Sequence, residues 1–173
     1  MHHSAAGLCA FMFTSGIIVA PFGVIAGPAE DVQSAMQLLK DKSAGLGAPM
    51  IKGEERVADR TAPALYFGNT EIDNNFTLVD DIQVKTGATA TFFVKSGSDF
   101  VRVATNVRKD DGSRAIGTVL DPKDKAAAAI MKNEAYYGEA SILGKPYIAG
   151  YEPIHDAGGG VIGVYYVGYP KAP

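Results

Sequence analysis

Apolar residues recur along this chain at helical spacing in its first half and at alternating spacing in its second. Val32, Ala35, Met36 and Leu39 form one stripe behind a cap at Glu30 or Asp31, and Gly45, Gly47 and Pro49 close that helix. Leu78, Val79 and Ile82 form the apolar face of a shorter helix over residues 78–85. Between them the pattern is mixed. Glu54-Glu55-Arg56-Val57-Ala58 reads as a helical turn, and Pro63 to Gly68 is an apolar patch. From Thr86-Gly87 onward the chain turns to strands. Residues 88–95 and 100–107 are rich in Thr, Phe and Val, with Ser96-Gly97-Ser98-Asp99 as a hairpin loop between them. Asp110-Asp111-Gly112-Ser113 is the next turn, and residues 114–120 read as a further short strand. Asp121-Pro122 opens an alanine-rich helix over 123–132. Strands follow at 136–142, 147–154 and 161–169, separated by Gly144-Lys145-Pro146 and by the loop His155 to Gly160. Helices followed by an antiparallel meander predict an α+β fold in which consecutive strands pair and one sheet face is buried under helices.

The first residues follow neither period. Residues 5–26 carry no charged side chain, and the apolar runs 8–13 and 17–19 are followed by Pro21, Gly23 and then Val24-Ile25-Ala26. Val24 and Ala26 sit three residues and one residue before a cut ahead of Gly27, as signal peptidase requires. The expected organisation is a signal peptide over 1–26 and one domain over 27–173, in the periplasm or secreted. An uncleaved N-terminal membrane anchor is the alternative. Cys9, the only cysteine, lies in that segment behind Leu8 rather than behind the small residue a lipoprotein anchor requires. The mature chain therefore has no cysteine for a disulfide, a thiolate nucleophile or a metal site.

Length and charge narrow the function. The 173 residues, 47% hydrophobic and 20% charged, suit one globular domain. A net charge of −3 with interleaved signs creates no field for nucleic acid, which is not expected as a partner. No cofactor is expected either. His155 is the single histidine beyond the N-terminal segment, too few for a histidine zinc site. Asp80-Asp81 and Asp110-Asp111 read as solvated caps and turns. Gly158-Gly159-Gly160 lacks the lysine and following helix of a phosphate loop, and no serine sits in a nucleophile-elbow pattern.

Several ordered blocks carry a resemblance. They are Phe100-Val101-Arg102-Val103-Ala104-Thr105-Asn106-Val107, then Asp111 to Thr118, Leu120-Asp121-Pro122, Tyr137-Gly138, Gly144-Lys145-Pro146-Tyr147-Ile148, Gly150-Tyr151-Glu152-Pro153-Ile154 and Gly163 to Gly168. Together they resemble the single Cache domains of the Cache 3/Cache 2 fusion type, and the 63–68 patch and Asn74-Asn75-Phe76 fit the same group. The resemblance implies a PAS-like antiparallel sheet, a long N-terminal helix packed on it, and an extracytoplasmic pocket for a small molecule, with short carboxylates such as acetate, propionate or pyruvate as the ligand class. It implies a sensor that binds and does not catalyse. With Lys171-Ala172-Pro173 closing the sequence, the similarity is to free-standing, exported members.

Candidate ligand residues follow. Strand alternation puts Phe100, Arg102 and Ala104 on one face and Val101, Val103 and Thr105 on the other, which reads as core. The Arg102 guanidinium offers paired donors that match a carboxylate. By itself this strand allows either a pocket anchor or a solvent-face ion pair, and the resemblance favours the pocket. Tyr147 and Tyr151 share a strand face, where their hydroxyls complete a carboxylate's shell or pack as core. Tyr136 and Tyr137 are adjacent, so only one faces the cavity, and Tyr137 matches the family block. Lys145 is either a ligand contact or a solvated turn lysine. Phe93, like Tyr66 and Phe67, reads as wall or core. The leading function is binding of a small organic acid with Arg102 as anchor. The alternatives are a ligand-independent module that partners a membrane receptor or a second copy, and a small hydrolase or isomerase using carboxylates.

Overall fold

The computed structural model describes residues 28–171. Helix α1 (Pro28–Ala44) buries Val32, Ala35, Met36 and Leu39 completely, so the apolar stripe is the face that packs on the sheet. A small antiparallel sheet follows, made of β1 (Pro49–Val57), β2 (Arg60–Phe67) and β3 (Thr70–Glu71). Helix α2 (Thr77–Thr86) buries Val79 and Ile82 and ends on Gly87 in the left-handed conformation. Then come β4 (Thr89–Ser96), β5 (Asp99–Thr105), α3 (Lys125–Met131), β6 (Tyr136–Ile142), β7 (Lys145–His155) and β8 (Val161–Pro170). The larger sheet has the order β5-β4-β8-β7-β6, antiparallel throughout.

The architecture is the expected α+β sheet with an N-terminal helix, with corrections to the strand order and to local segments. Consecutive strands do not all pair. β8 enters between β4 and β7, with Phe92 opposite Tyr165 and Tyr151 opposite Tyr166, so β5 and β6 become the two edges. Residues 54–58 are strand and turn rather than helix. Val57 pairs with Arg60 across the tight turn Ala58-Asp59, and Ala58 takes φ 57° there. β1 exposes most residues on both faces, so no alternation marks it in the sequence. Residues 114–120 are not a strand. They follow the β5 edge through Gly117 N–H to the Arg102 carbonyl, Arg102 N–H to the Thr118 carbonyl and Leu120 N–H to the Phe100 carbonyl. Gly117 at φ 78° breaks the run.

The link from α1 to the small sheet depends on close backbone approach. A Cβ on Gly68 would lie 2.2 Å from the Leu46 carbonyl oxygen, at φ +58°. No other residue fits that contact without displacing the end of α1.

The larger sheet separates two apolar clusters, so both of its faces are covered rather than the one expected. On one side α1, α2 and the small sheet cover Phe92, Val94, Val103 and Val167; on the other α3 covers Phe93, Phe100, Tyr151 and Tyr166. A bulge sets which side each β5 residue faces. Phe93 pairs with Arg102 and Phe92 with Ala104, leaving Val103 as the extra residue. Alternation therefore fails after Val103, and Ala104 joins the α1 side instead of sharing the Arg102 face. Among the described residues no helix is long and apolar enough to cross a membrane. The signal-peptide reading of residues 1–26 lies outside the described residues.

Candidate small-molecule site

A cleft of about 790 Å³ opens on the α3 side of the larger sheet. Its walls are the segment from Thr118 to Lys125 and the β6–β7 hairpin, and Arg102 and Tyr151 stand among its lining residues. The volume is in the range of sites that enclose small organic ligands.

Arg102 reaches the cleft because the register of β5 points it to the α3 side. It is 5% exposed. Its Nη1 donates to Thr118 Oγ1 at 2.8 Å, and that hydroxyl donates to the Ala115 carbonyl at 2.7 Å. The guanidinium lies 5.0 Å from the centre of the Phe93 ring, within cation–π range. Nε is buried with no acceptor, and among the described residues no carboxylate forms a salt bridge with this side chain. Burial holds its pKa below the ordinary arginine value, while the Tyr166 and Tyr151 phenols act in the opposite sense. A buried, charged group without an anion is unfavourable unless a partner is supplied. Thr118 and Phe93 thus fix the side chain in place, and among the described residues its Nε has no acceptor.

Tyr151 is 1% exposed, and its hydroxyl makes no hydrogen bond among the described residues. Its ring packs 5.0 Å from that of Tyr166, whose hydroxyl pairs with Thr89 Oγ1 at 3.1 Å. Burial pushes the Tyr151 phenol far above its ordinary range, so it is a proton donor at any physiological pH. Arg102 and Tyr151 therefore present donors and no acidic acceptor at the floor of the cleft.

The other sequence-selected residues are placed differently. Phe93 is fully buried beneath the guanidinium and supports Arg102 rather than lining the cleft. Tyr147 shares the Tyr151 side of β7 and packs against the same cluster, outside the lining. Lys145 is exposed and pairs with Asp110 at 2.9 Å, although its neighbours Gly144 and Pro146 line the cleft. Tyr137 faces the opposite side. Its hydroxyl donates to Glu152 at 2.5 Å, and Glu152 pairs with Lys40 of α1 at 2.5 Å, which ties the helix to the sheet. Tyr136 is the member of that pair on the α3 side, its ring 6.3 Å from that of Tyr151. His155 pairs with Asn133 at 2.5 Å, outside the cleft lining.

Sequence reasoning missed Thr118 and Asp124. Asp124 caps α3 by accepting from Ala126 N–H at 3.1 Å, and it lines the cleft. A capping pattern ahead of the alanine run was the available signal for it. Thr118 had none, because the turn that aims it at Arg102 depends on contacts with β5. Among the described residues no group of three or more His, Cys, Asp or Glu side chains is gathered for a metal ion.

Residues 29–172 match the family model described as the Cache 3/Cache 2 fusion domain. A comparison with curated proteins finds no match.

Proposed function

This chain belongs to the Cache 3/Cache 2 fusion family, extracytoplasmic sensor domains that bind small molecules, and we propose that its cleft takes a small organic acid on Arg102 without chemical turnover. The observation that carries the reading is the Arg102 guanidinium, buried, held by Thr118 and Phe93, with no carboxylate partner among the described residues. A carboxylate there neutralises a buried charge and satisfies directed donors, and the Tyr151 hydroxyl adds another donor. Both anchors lie on strands whose register is set by the sheet, so little ordering is needed on binding. In this proposal residues 1–26 are a cleavable signal peptide and 27–173 the binding domain, in the periplasm or secreted; the uncharged N-terminal run supports that division. A bound acid would then alter what the domain presents to a membrane receptor.

Titration calorimetry and thermal unfolding with acetate, propionate, pyruvate and four-carbon acids test the reading. At least one acid should bind and raise the midpoint, by an amount that keeps growing with the logarithm of its concentration above Kd. Arg102→Ala should weaken that acid about 10- to 100-fold, as expected for a lost charged hydrogen bond. Unaltered affinity in Arg102→Ala, or no response to any acid, would overturn the proposal. The bound acid should be recovered unchanged after prolonged incubation; conversion would favour an enzyme.

A further inference from the structure

The cleft is not simply basic. Arg102, Lys123 and Lys125 line it, and so do Asp121, Asp124 and Glu139, so its formal charge balances. The two signs are not equally effective, because the residues differ in burial. Lys123, Lys125, Asp121 and Glu139 are exposed at the rim. Glu139 is also committed to Lys171 at 2.5 Å. Water and salt screen such charges strongly.

Two charges remain that act on the interior. One is buried Arg102. The other is Asp124, half-buried at the start of α3. Only one of its oxygens is used, by the Ala126 N–H, and it forms no salt bridge among the described residues. Its charge acts on Tyr151, which lines the same cleft. After burial and the Tyr166 phenol, the Asp124 charge is the next cause raising the Tyr151 phenol, and it raises Tyr136 as well. Tyr151, 1% exposed and with no hydrogen bond from its hydroxyl among the described residues, lines the same cleft as both charges.

We infer that the cleft selects an amino acid: its carboxylate on Arg102 and Tyr151, its ammonium group on Asp124. This rests on the carboxylate reading above and names the second group of the same ligand. An ammonium beside Asp124 and a carboxylate on Arg102 give each the opposite charge that no salt bridge supplies among the described residues. A ligand bearing both charges is therefore preferred over one bearing either alone.

Calorimetry with butyrate, 2-aminobutyrate and 4-aminobutyrate on the full domain tests this, with Asp124→Asn as the variant. Asparagine retains the capping oxygen and removes the charge, so α3 keeps its cap. At least one amino compound should bind about 10-fold or more tighter than butyrate, and Asp124→Asn should reduce that ratio to about one. Butyrate binding as well as both amino compounds would overturn the amino-acid inference and leave the carboxylate reading intact. A ratio that survives in Asp124→Asn would overturn Asp124 as the ammonium partner. No binding of any of the three, with the shorter acids also inactive, would overturn both readings.

Discussion

Phe92→Ala should destabilise the domain by about 3–5 kcal/mol, the usual range for emptying a buried aromatic site. Phe92 lies on β4 with no exposed surface. Its ring centre is 5.8 Å from that of Phe67 on β2 and 5.7 Å from that of Tyr165 on β8, and those two lie 6.1 Å apart. The three rings join the small sheet to the large one. A cavity there cannot collapse readily, because its walls belong to two sheets with separately determined backbones. The loss is a large part of the about 5–15 kcal/mol typical of a folded domain. In thermal unfolding it corresponds to a midpoint about 6–20 °C lower for a domain of this size. Urea unfolding of the two proteins measures it directly, and a loss below about 1 kcal/mol would mean that Phe92 does not join the sheets.

The second large effect concerns Asp73, in the turn between β3 and α2. Its Oδ1 accepts from Leu65 N–H at 2.9 Å, while Oδ2 is buried without a donor. Burial, and then the nearby Glu71 and Glu55 carboxylates, push its pKa up to about 7 from the ordinary 3.8, against the Leu65 hydrogen bond that lowers it. Between those two pH values the folded chain holds a proton that the unfolded chain has lost. Stability from this group is therefore greatest below pH 3.8 and declines as pH rises toward 7. The full shift corresponds to at most about 4 kcal/mol. Asp73→Asn retains the acceptor for Leu65 and has no charge to lose. It should gain on the native protein by up to that amount between pH 4 and pH 8. Urea unfolding at several pH values compares them, and the difference isolates Asp73 from the carboxylates whose ion pairs titrate in both proteins. Parallel pH profiles would show that folding does not raise the Asp73 pKa.

Much of the fold is legible in the chain because its local signals are strong. The α1 stripe, the α2 stripe, the Ala126-Ala127-Ala128-Ala129 run and the β6, β7 and β8 segments are all marked by period, propensity or punctuation. β1 is not, because a strand exposed on both faces has no apolar alternation. The segment 114–120 looks like a strand because it does pair with β5, but Gly117 interrupts it. The site is less legible than the fold. Arg102 stands out as a cation among apolar neighbours, yet that no carboxylate pairs with it among the described residues depends on every element that packs near it. Adjacent Tyr136 and Tyr137 must face opposite sides, but alternation does not say which side is which.

By itself, then, the sequence determined the elements, the α+β class, the family blocks and the residue types available to a ligand. These depend on neighbours within a few positions, where period and turn chemistry act. Tertiary structure alone decided that β8 enters beside β4, that the Val103 bulge turns Ala104 away from Arg102, and that Thr118 and Phe93 hold the guanidinium beside Tyr151 in one cleft. Those outcomes depend on pairing and burial between segments far apart in the chain. One residue of register in a strand reverses which side chains meet, and no local pattern records that register.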